Sequence, residues 1–393
     1  MFWSARGVDR WRLTPSTPED IEEQEERMSK IPFDREKEMV ATGENPGFPG
    51  APSRTLWNTP VSYKDNFLAA LKREDYHFLP NVLDLRNMNT RLIPDNTARA
   101  SVMDGRPDSC MPDPEGAPDV FGVQWVFDPA SMGAMEKPGQ PHLLEDIDDW
   151  EDVIKFPDVD SWDWAGEAEL NRDYLNDPDA LIISTIFTGF FERLISWMGF
   201  EEAAITMIDE DCRESLEALM DRLCDLYIDY VDHMNRYFGT QILEIHDDWG
   251  SQIAPFFSED VLCEVIIPRL KRLCDACHER GMFVRLHSCG RIECLVKHMV
   301  DAGVDIWMGQ DHNDKLSVVK EYGNKIIVEC EAPNVGPDAT DKQVWDAAQK
   351  FVDDYVFPDK PIDLSIYSAC INNPQLMTEA LYMLSREKLD GAL

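Results

Sequence analysis

The sequence predicts a (β/α)8 TIM barrel, an α/β fold, preceded by an N-terminal extension. Short apolar runs alternate with helical patterns along most of the chain, which is typical of a parallel sheet with crossover helices. At least seven such runs occur, and the sequence contains neither a GxGxxG nor a GxxxxGK[ST] loop. A closed barrel is therefore favoured over a doubly wound dinucleotide-binding fold. The 393 residues suffice for one barrel with extensions.

The first 60 residues differ from the rest of the chain. An acidic helical pattern with a capping-box signature begins at residues 17–20, and the Gly/Pro-rich stretch at 43–52 predicts a loop. We therefore expect an N-terminal arm and Gly/Pro-rich loop over residues 1–60, and a catalytic barrel over residues 61–393.

The predicted elements of the barrel follow from hydrophobic periodicity. A first buried strand is expected at residues 77–85 and a last one at 362–368. Between them, strands are predicted at 181–187, 241–246, 282–287, 304–308 and 325–329, and long helices at 214–230 and 258–280.

Composition and charge restrict the partners of the protein. Apolar residues make up 44% and charged residues 28%, which is typical of a globular protein. The net charge of -38 would repel nucleic acids and anionic membranes. The apolar runs are shorter than the roughly 20 residues needed to cross a bilayer. With no secretion signal, a cytoplasmic location is expected, with the ten cysteines as reduced thiols or metal ligands.

Two predicted strands end in residues that can bind zinc. His287 and Cys289 point to the same side of one strand because side chains alternate with period two. Cys370 follows the last strand. Three such ligands would leave the fourth position of tetrahedral zinc open, as in catalytic zinc sites. The alternative is that these cysteines are small buried apolar side chains.

A third strand ends in four titratable side chains and a tryptophan, at residues 244–249. Its alternation directs Glu244, His246 and Asp248 into the barrel. Asp247 and Asp248 are candidate catalytic residues, since a carboxylate at the barrel mouth could bind the metal or carry a proton. The alternative is an ordinary acidic loop in an acidic chain.

Aromatic residues also lie at or near the predicted strand ends. Trp125, Phe187 and Trp249 could form the walls of a pocket for a flat, mostly apolar substrate. The alternative is that these rings pack between strands and helices.

Seven segments share a pattern with a known family: 119–125, 189–193, 198–201, 258–260, 268–271, 287–290 and 370–374. Together they resemble the uroporphyrinogen decarboxylase superfamily, over roughly residues 62–390. This resemblance implies a (β/α)8 barrel and one of two activities: a metal-free porphyrinogen decarboxylase or a zinc-dependent corrinoid methyltransferase.

The resemblance is closer to the methyltransferase branch. The arginine-rich signature of the decarboxylases has no good match, since Arg86 and Arg91 have different spacing and no tyrosine follows. The methyltransferase pattern, His-x-Cys-Gly and a later cysteine, is present at His287, Cys289 and Cys370. It implies zinc at these residues and a separate corrinoid protein as partner.

The identity of the small methyl donor or acceptor is less defined. The aromatic residues favour O-demethylation of a methoxylated aromatic compound. Three alternatives stay open: methyl transfer from the corrinoid to a thiol, decarboxylation of a polycarboxylated tetrapyrrole-like substrate, and a non-catalytic barrel that binds a corrinoid partner or a tetrapyrrole.

Overall fold

A computed structural model describes residues 31–45, 53–107, 109, 115–128, 133–366 and 372–391. The beginning of the expected acidic helix, at residues 17–20, and the predicted ligand Cys370 lie outside the described residues.

The described residues form twelve strands in three sheets. The strands are β1 (Ala41–Asn45), β2 (Arg54–Trp57), β3 (Leu85–Asn87), β4 (Ala117–Pro118), β5 (Gln124–Asp128), β6 (Gly133–Glu136), β7 (Leu181–Ile186), β8 (Ile242–His246), β9 (Phe283–Ser288), β10 (Ile306–Gly309), β11 (Ile327–Glu331) and β12 (Ile362–Ser365).

Seven strands form one curled, parallel sheet in the order β12-β11-β10-β9-β8-β7-β3. The two edges of this sheet meet just before β3. Asn81 forms a parallel bridge with Leu364 of β12, and the Leu364 backbone N–H donates to the carbonyl of Pro80 at 2.8 Å. The sheet therefore closes on itself, and the predicted fold class, a TIM barrel with an N-terminal extension, is confirmed.

Helices surround this sheet. The α-helices are α1 (Arg35–Glu38), α2 (Tyr63–Leu71), α3 (Pro94–Ala98), α4 (Trp150–Val153), α5 (Trp164–Leu170), α6 (Arg172–Leu175), α7 (Phe190–Met198), α8 (Phe200–Ile208), α9 (Arg213–His233), α10 (Glu259–Val265), α11 (Ile267–Glu279), α12 (Val296–Ala302), α13 (Lys315–Tyr322), α14 (Asp341–Tyr355) and α15 (Pro374–Leu389). No helix of the described part of the chain is both long and apolar enough to cross a bilayer.

The barrel interior is layered because every second residue of a strand points inward. At the amino ends of the strands the layer is apolar, and Phe67 of α2 packs against it. Its strand residues include Leu181, Ile183, Ile242, Ile306 and Ile327. Two residues further along the strands the inward side chains are polar: Thr185, Glu244, Arg285 and Glu329. The apolar floor and the charged layer support the carboxyl ends of the strands, where the candidate site lies.

Strands β7 to β11 match their predicted positions within about two residues and β12 begins where predicted, but the first predicted strand is wrong over most of its length. Only Leu85–Asn87 is a strand there. Pro80 has no N–H to donate to a neighbouring strand. Asn81 then caps a 3₁₀ turn at Val82–Asp84, its side chain accepting from the Leu83 backbone N–H at 2.8 Å.

Two further differences concern local geometry. The single helix predicted at 258–280 is two helices, α10 and α11, that meet at Ile266, and Pro268 lies in the first turn of the second. Pro is tolerated there because the first helical N–H groups have no partner in the helix.

The predicted loop at 43–52 begins inside β1, which pairs with β2 as an antiparallel strand. The side chains of β1 are mostly exposed, so no hydrophobic alternation in the sequence indicated this strand.

The N-terminal arm is bound to the last helix. Glu38 of α1 accepts hydrogen bonds from the Arg386 guanidinium, at 2.8 Å on each carboxylate oxygen, and from the Tyr382 hydroxyl at 2.7 Å. All three residues are buried. A bidentate, buried ion pair of this kind fixes orientation as well as position.

Candidate metal centre

Three side chains with metal-binding atoms meet at the carboxyl ends of β8 and β9. His287 and Cys289 lie two residues apart, with 3.3 Å between the imidazole Nε2 and the thiol Sγ. Asp248, after β8, has its Oδ1 3.9 Å from the same Nε2. The three ligand atoms all lie within 4.8 Å of one another, the one such group among the described residues. The alternation predicted for His287 and Cys289 is confirmed.

Backbone contacts hold the side chains of Asp248 and His287 in place. The Cys289 backbone N–H donates to Asp248 Oδ1 at 2.7 Å. His287 Nδ1 lies 3.1 Å from the backbone carbonyl of Met308. This contact assigns the ring hydrogen to Nδ1 and leaves the Nε2 lone pair facing the cluster, as is usual for metal-binding histidines.

Gly290 allows the close packing behind Cys289. Its φ angle is +102°, and an added Cβ would lie 2.4 Å from the carbonyl carbon of Gly250. Both the left-handed conformation and the contact require glycine. The two loops that follow β8 and β9 therefore pack against each other directly beside the cluster.

Gln310 is a site residue that the sequence analysis missed. It follows β10, and its side-chain N–H donates to Cys289 Sγ at 3.2 Å, while its carbonyl oxygen accepts from the Gly290 backbone N–H at 2.9 Å. The available signal was its position after a predicted strand, the same signal that identified Cys289 and Asp248.

The electrostatics of the cluster suit a divalent cation. Burial and the Asp248 carboxylate raise the pKa of the Cys289 thiol well above its usual range. Burial and the neighbouring His246 lower the pKa of His287 to about 4. The imidazole is therefore neutral at pH 7 and able to bind a metal. A cation at the cluster would favour the thiolate, and one nitrogen, one sulfur and one carboxylate donor are a set that zinc accepts.

A charged network lies beneath His287. The ring of His246 lies 4.6 Å from that of His287, and His246 Nε2 is 2.9 Å from Glu244 Oε1. Glu244 Oε2 is in turn 3.3 Å from the Arg285 guanidinium. Burial opposes the ionisation of Glu244, but Arg285 and His246 outweigh it and lower the pKa of this carboxyl to about 2. The network thus fixes the ring that packs against the candidate ligand.

Asp247, unlike Asp248, lies outside the group of candidate ligands and has a buried structural environment. Asp247 is 1% exposed, and its two oxygens accept from the Glu192 backbone N–H at 3.0 Å and the Trp249 indole N–H at 2.8 Å. It caps helix α7, whose own N-cap residue is Gly189. Burial raises the pKa of Asp247 to about 7.

Of the three predicted aromatic residues, Phe187 lies beside His246, whose ring packs against that of His287. Phe187 is half-buried, and its ring lies 5.1 Å from that of His246 in an edge contact. Trp249 is fully buried and held by Asp247. Trp125 is also buried, on β5 of the small antiparallel sheet, and its indole N–H donates to Asp119 at 3.1 Å.

Glu192 is a second residue that the sequence analysis missed, and it lies next to Asp247. Glu192, in the first turn of α7, has a side chain only 16% exposed, and its Oε2 is 3.7 Å from the Arg99 guanidinium. Burial, with further contributions from Asp248 and Asp247, raises its pKa to about 8 against the effect of Arg99. Glu192 is therefore mostly protonated at pH 7 and can donate a proton.

Comparison with known proteins gives one family match. Residues 178–339 match the family described as Uroporphyrinogen decarboxylase (URO-D). This segment contains β7 to β11 and all residues of the cluster. No curated protein matches the chain.

Solved structures show similarity of fold. A methyltransferase from Methanosarcina mazei is similar at a TM-score of 0.56 and 14% identity, covering 84% of this chain and 99% of that one. A sugar phosphate isomerase/epimerase from Parabacteroides distasonis ATCC 8503 has a TM-score of 0.32 and 9% identity, covering 61% and 80%. The first similarity supports a shared fold, and the second is too low for comparison.

Proposed function

Since residues 178–339 match the family described as uroporphyrinogen decarboxylase, we propose that this protein is a zinc-dependent methyltransferase that moves a methyl group between a small substrate and a corrinoid protein. The observation that carries the proposal is the group formed by Asp248, His287 and Cys289, with ligand atoms within 4.8 Å of one another at the carboxyl ends of the strands. Active sites of TIM barrels lie at this end.

In this proposal His287 and Cys289 hold the metal, with Cys370 as the third predicted ligand. When bound, zinc supplies a Lewis acid that stabilises negative charge on a substrate oxygen or sulfur atom. Met308 holds the imidazole in the binding tautomer, and the Gln310 amide donates to the Cys289 sulfur. Asp248 is either a further ligand or a group that substrate displaces.

The protein also has groups suited to proton transfer. A phenol or alcohol product must gain a proton after its methyl group leaves, and a thiol substrate must lose one. The buried carboxyl of Glu192, with a pKa raised to about 8, can serve as donor or acceptor near pH 7. Asp248 is the second candidate because its carboxylate lies in the cluster itself.

We favour a methoxylated aromatic compound as the methyl donor. Phe187 presents a half-buried ring beside His246, and an aromatic substrate could pack against it. Trp125 and Trp249 have buried, hydrogen-bonded indoles, so their proposed role is to support the pocket rather than to contact the substrate. A small thiol as methyl acceptor is the alternative substrate class.

The contacts of Arg86 and Arg91 weigh against a decarboxylase that binds several carboxylates. Arg86 pairs with Asp177 and donates to the Tyr174 carbonyl, while Arg91 Nε pairs with Asp104 at 3.1 Å. Both guanidinium groups therefore already have acidic partners within the protein.

Zinc analysis and a two-substrate assay test the proposal. The chain would be produced in the cytoplasm, where we expect it to work with reduced thiols, and about one zinc per chain is expected after dialysis. It is then supplied with a reduced corrinoid protein and methoxyarenes, or with methylcobalamin and simple thiols. Activity with thiols alone would overturn the proposal of an aromatic substrate but would still support the assignment as a methyltransferase. A metal-free protein with no methyl transfer in either assay would overturn the function.

A further inference from the structure

A second group of reactive side chains lies on the outer helices α10 and α12. Cys263 Sγ is 3.3 Å from His298 Nδ1, and the other ring nitrogen of His298, Nε2, is 3.0 Å from Glu259 Oε2. Glu259 and Cys263 are four residues apart on α10 and therefore share one helix face. A thiol, an imidazole and a carboxylate thus form a chain of contacts in that order.

This order is that of a nucleophile, a base and a group that orients the base. The carboxylate of Glu259 accepts the hydrogen on Nε2, which leaves the Nδ1 lone pair facing the thiol. His298 is well buried, with 12% of its side chain exposed, while 60% of the Glu259 side chain is exposed. Cys263 is partly exposed and can be reached from solvent.

The other described cysteines have different surroundings. Outside the candidate metal centre, Cys263 is the described cysteine with an imidazole at hydrogen-bonding distance. Cys224 and Cys330 are buried and contact backbone carbonyls. Cys212 is partly exposed like Cys263, but its sulfur contacts only carbonyl oxygens, at 3.6 Å from Asp209 and 3.8 Å from Thr206.

The acidic surroundings restrict which electrophile can react. Burial and Glu259 raise the pKa of the Cys263 thiol against the opposing effect of Lys297, and Asp260 and Asp301 raise it further. The resting thiol is therefore protonated, so a base must take its proton during the reaction. The same carboxylates repel anionic reagents such as acidic disulfides. A small uncharged oxidant is the electrophile that fits.

We propose that Cys263 is a peroxide-reactive modification site, with His298 as its base and Glu259 as the residue that orients His298. In the reaction, His298 Nδ1 takes the thiol proton and the sulfur attacks one oxygen of hydrogen peroxide. A sulfur–oxygen bond forms and the oxygen–oxygen bond breaks. The leaving hydroxide takes the proton back from the imidazolium and becomes water. Sulfur is oxidised by two electrons to a sulfenic acid, and peroxide is reduced.

The site can be tested on the full chain without any methyl-transfer assay. The protein is treated with hydrogen peroxide in the presence of dimedone, which traps sulfenic acids, and labelling of each cysteine is followed by mass spectrometry. Cys212 is the internal reference because it matches Cys263 in exposure, and burial and Asp209 also raise its pKa. We expect Cys263 to react at least about tenfold faster than Cys212, a modest value for general-base assistance.

Two variants separate the roles of the partners. His298→Asn is expected to lower the rate at Cys263 to that of Cys212, and Glu259→Gln to lower it by a smaller factor, with Cys212 unchanged in both. Thermal melting checks that the variants fold. Equal rates at Cys263 and Cys212 in the unmodified sequence would overturn the proposal, even if a variant failed to fold. An unchanged Cys263 rate in a folded His298→Asn variant would also overturn it.

Discussion

Asp248 Oδ1 accepts a hydrogen bond from the backbone N–H of Cys289 at 2.7 Å, so the end of β8 is fastened to the end of β9 at the candidate metal centre. The same oxygen lies 3.9 Å from His287 Nε2. One carboxylate thus both positions a candidate ligand and faces the space where a cation would bind. Variants of these residues should therefore affect metal binding before they affect the fold.

The first prediction concerns the thiol. Cys289→Ala should reduce zinc from about one per chain to nearly none and abolish methyl transfer, because one ligand is lost while the barrel core is untouched. Metal analysis and circular dichroism measure the two effects. Cys294→Ala is the matched control, since Cys294 is exposed and lies five residues further along. Cys370→Ala should behave like Cys289→Ala. Full zinc and activity in either ligand variant would show the assigned set to be wrong.

The second prediction separates the two adjacent aspartates. Asp248→Asn should reduce turnover by about 10- to 10,000-fold, the range for a lost acid, base or positioning group, with little change in melting temperature. Asp247→Asn should mainly change stability, because its side chain caps α7 and holds the Trp249 indole. Turnover and thermal unfolding of both variants check this. Near wild-type turnover in both variants would show that neither aspartate acts in catalysis.

The third prediction concerns the turn behind Cys289. Gly290→Ala should destabilise the protein by about 1–3 kcal/mol or more, because a left-handed φ and a 2.4 Å contact with Gly250 must both be relieved. It should also lower zinc content, since the backbone of Cys289 must shift. Gly336→Ala is the control, because an added Cβ there meets no described atom within 4 Å. Equal melting temperatures for the two variants would contradict the geometry.

The fourth prediction is a pH dependence that arises in the barrel interior. Asp363 is fully buried, neither of its oxygens has a hydrogen-bond partner among the described residues, and the Arg285 guanidinium is 3.6 Å away. Burial raises its pKa from 3.8 to about 7, although Arg285 opposes this. The folded state therefore binds the proton more tightly than the unfolded state. Stability from this group is present below about pH 4 and is lost as the pH rises through 7.

Urea unfolding at pH 5 and pH 8 measures this effect. Asp363→Asn removes the titrating group, so the decrease in unfolding free energy between these pH values should be smaller in the variant by an amount on the order of a few kcal/mol at most. Asp353→Asn, at an exposed position of α14, should keep the wild-type decrease. A variant with the full wild-type decrease would show that Asp363 does not titrate in this range.

The sequence predicted the repeating part of the fold well. Strands β7 to β12 are buried and rich in branched apolar residues, so their hydrophobic runs were visible. The first strand was misplaced because its apolar residues also include the turn at Val82–Asp84, which Asn81 caps through a side-chain contact. Apolar residues alone do not distinguish such a turn from a strand.

In the candidate site, too, features set by the strand pattern were predicted and features set by tertiary contacts were not. His287, Cys289 and Asp248 were found because strand ends and period-two alternation determine where they point. Gln310 was missed because an amide carries no metal-binding signal until its contact with the sulfur is seen. Burial of Trp125 and Trp249 could not be predicted from the sequence, since it results from tertiary packing; their buried indole N–H groups donate to Asp119 and Asp247.

The closure of the barrel has a mechanical consequence. β8 and β9 are joined by five residue pairs, whereas β12 meets the segment before β3 through the bridge at Asn81 and one backbone hydrogen bond from Leu364. A ring opens first at its weakest junction, so transient opening should begin between β12 and this segment. In sequence, the proposed ligand Cys370 comes after β12, whereas His287 lies on the strongly paired β9 and Cys289 directly follows it. Such opening would free the segment that carries the proposed ligand Cys370 and leave the group of Asp248, His287 and Cys289 formed, which would provide a route for metal exchange without global unfolding.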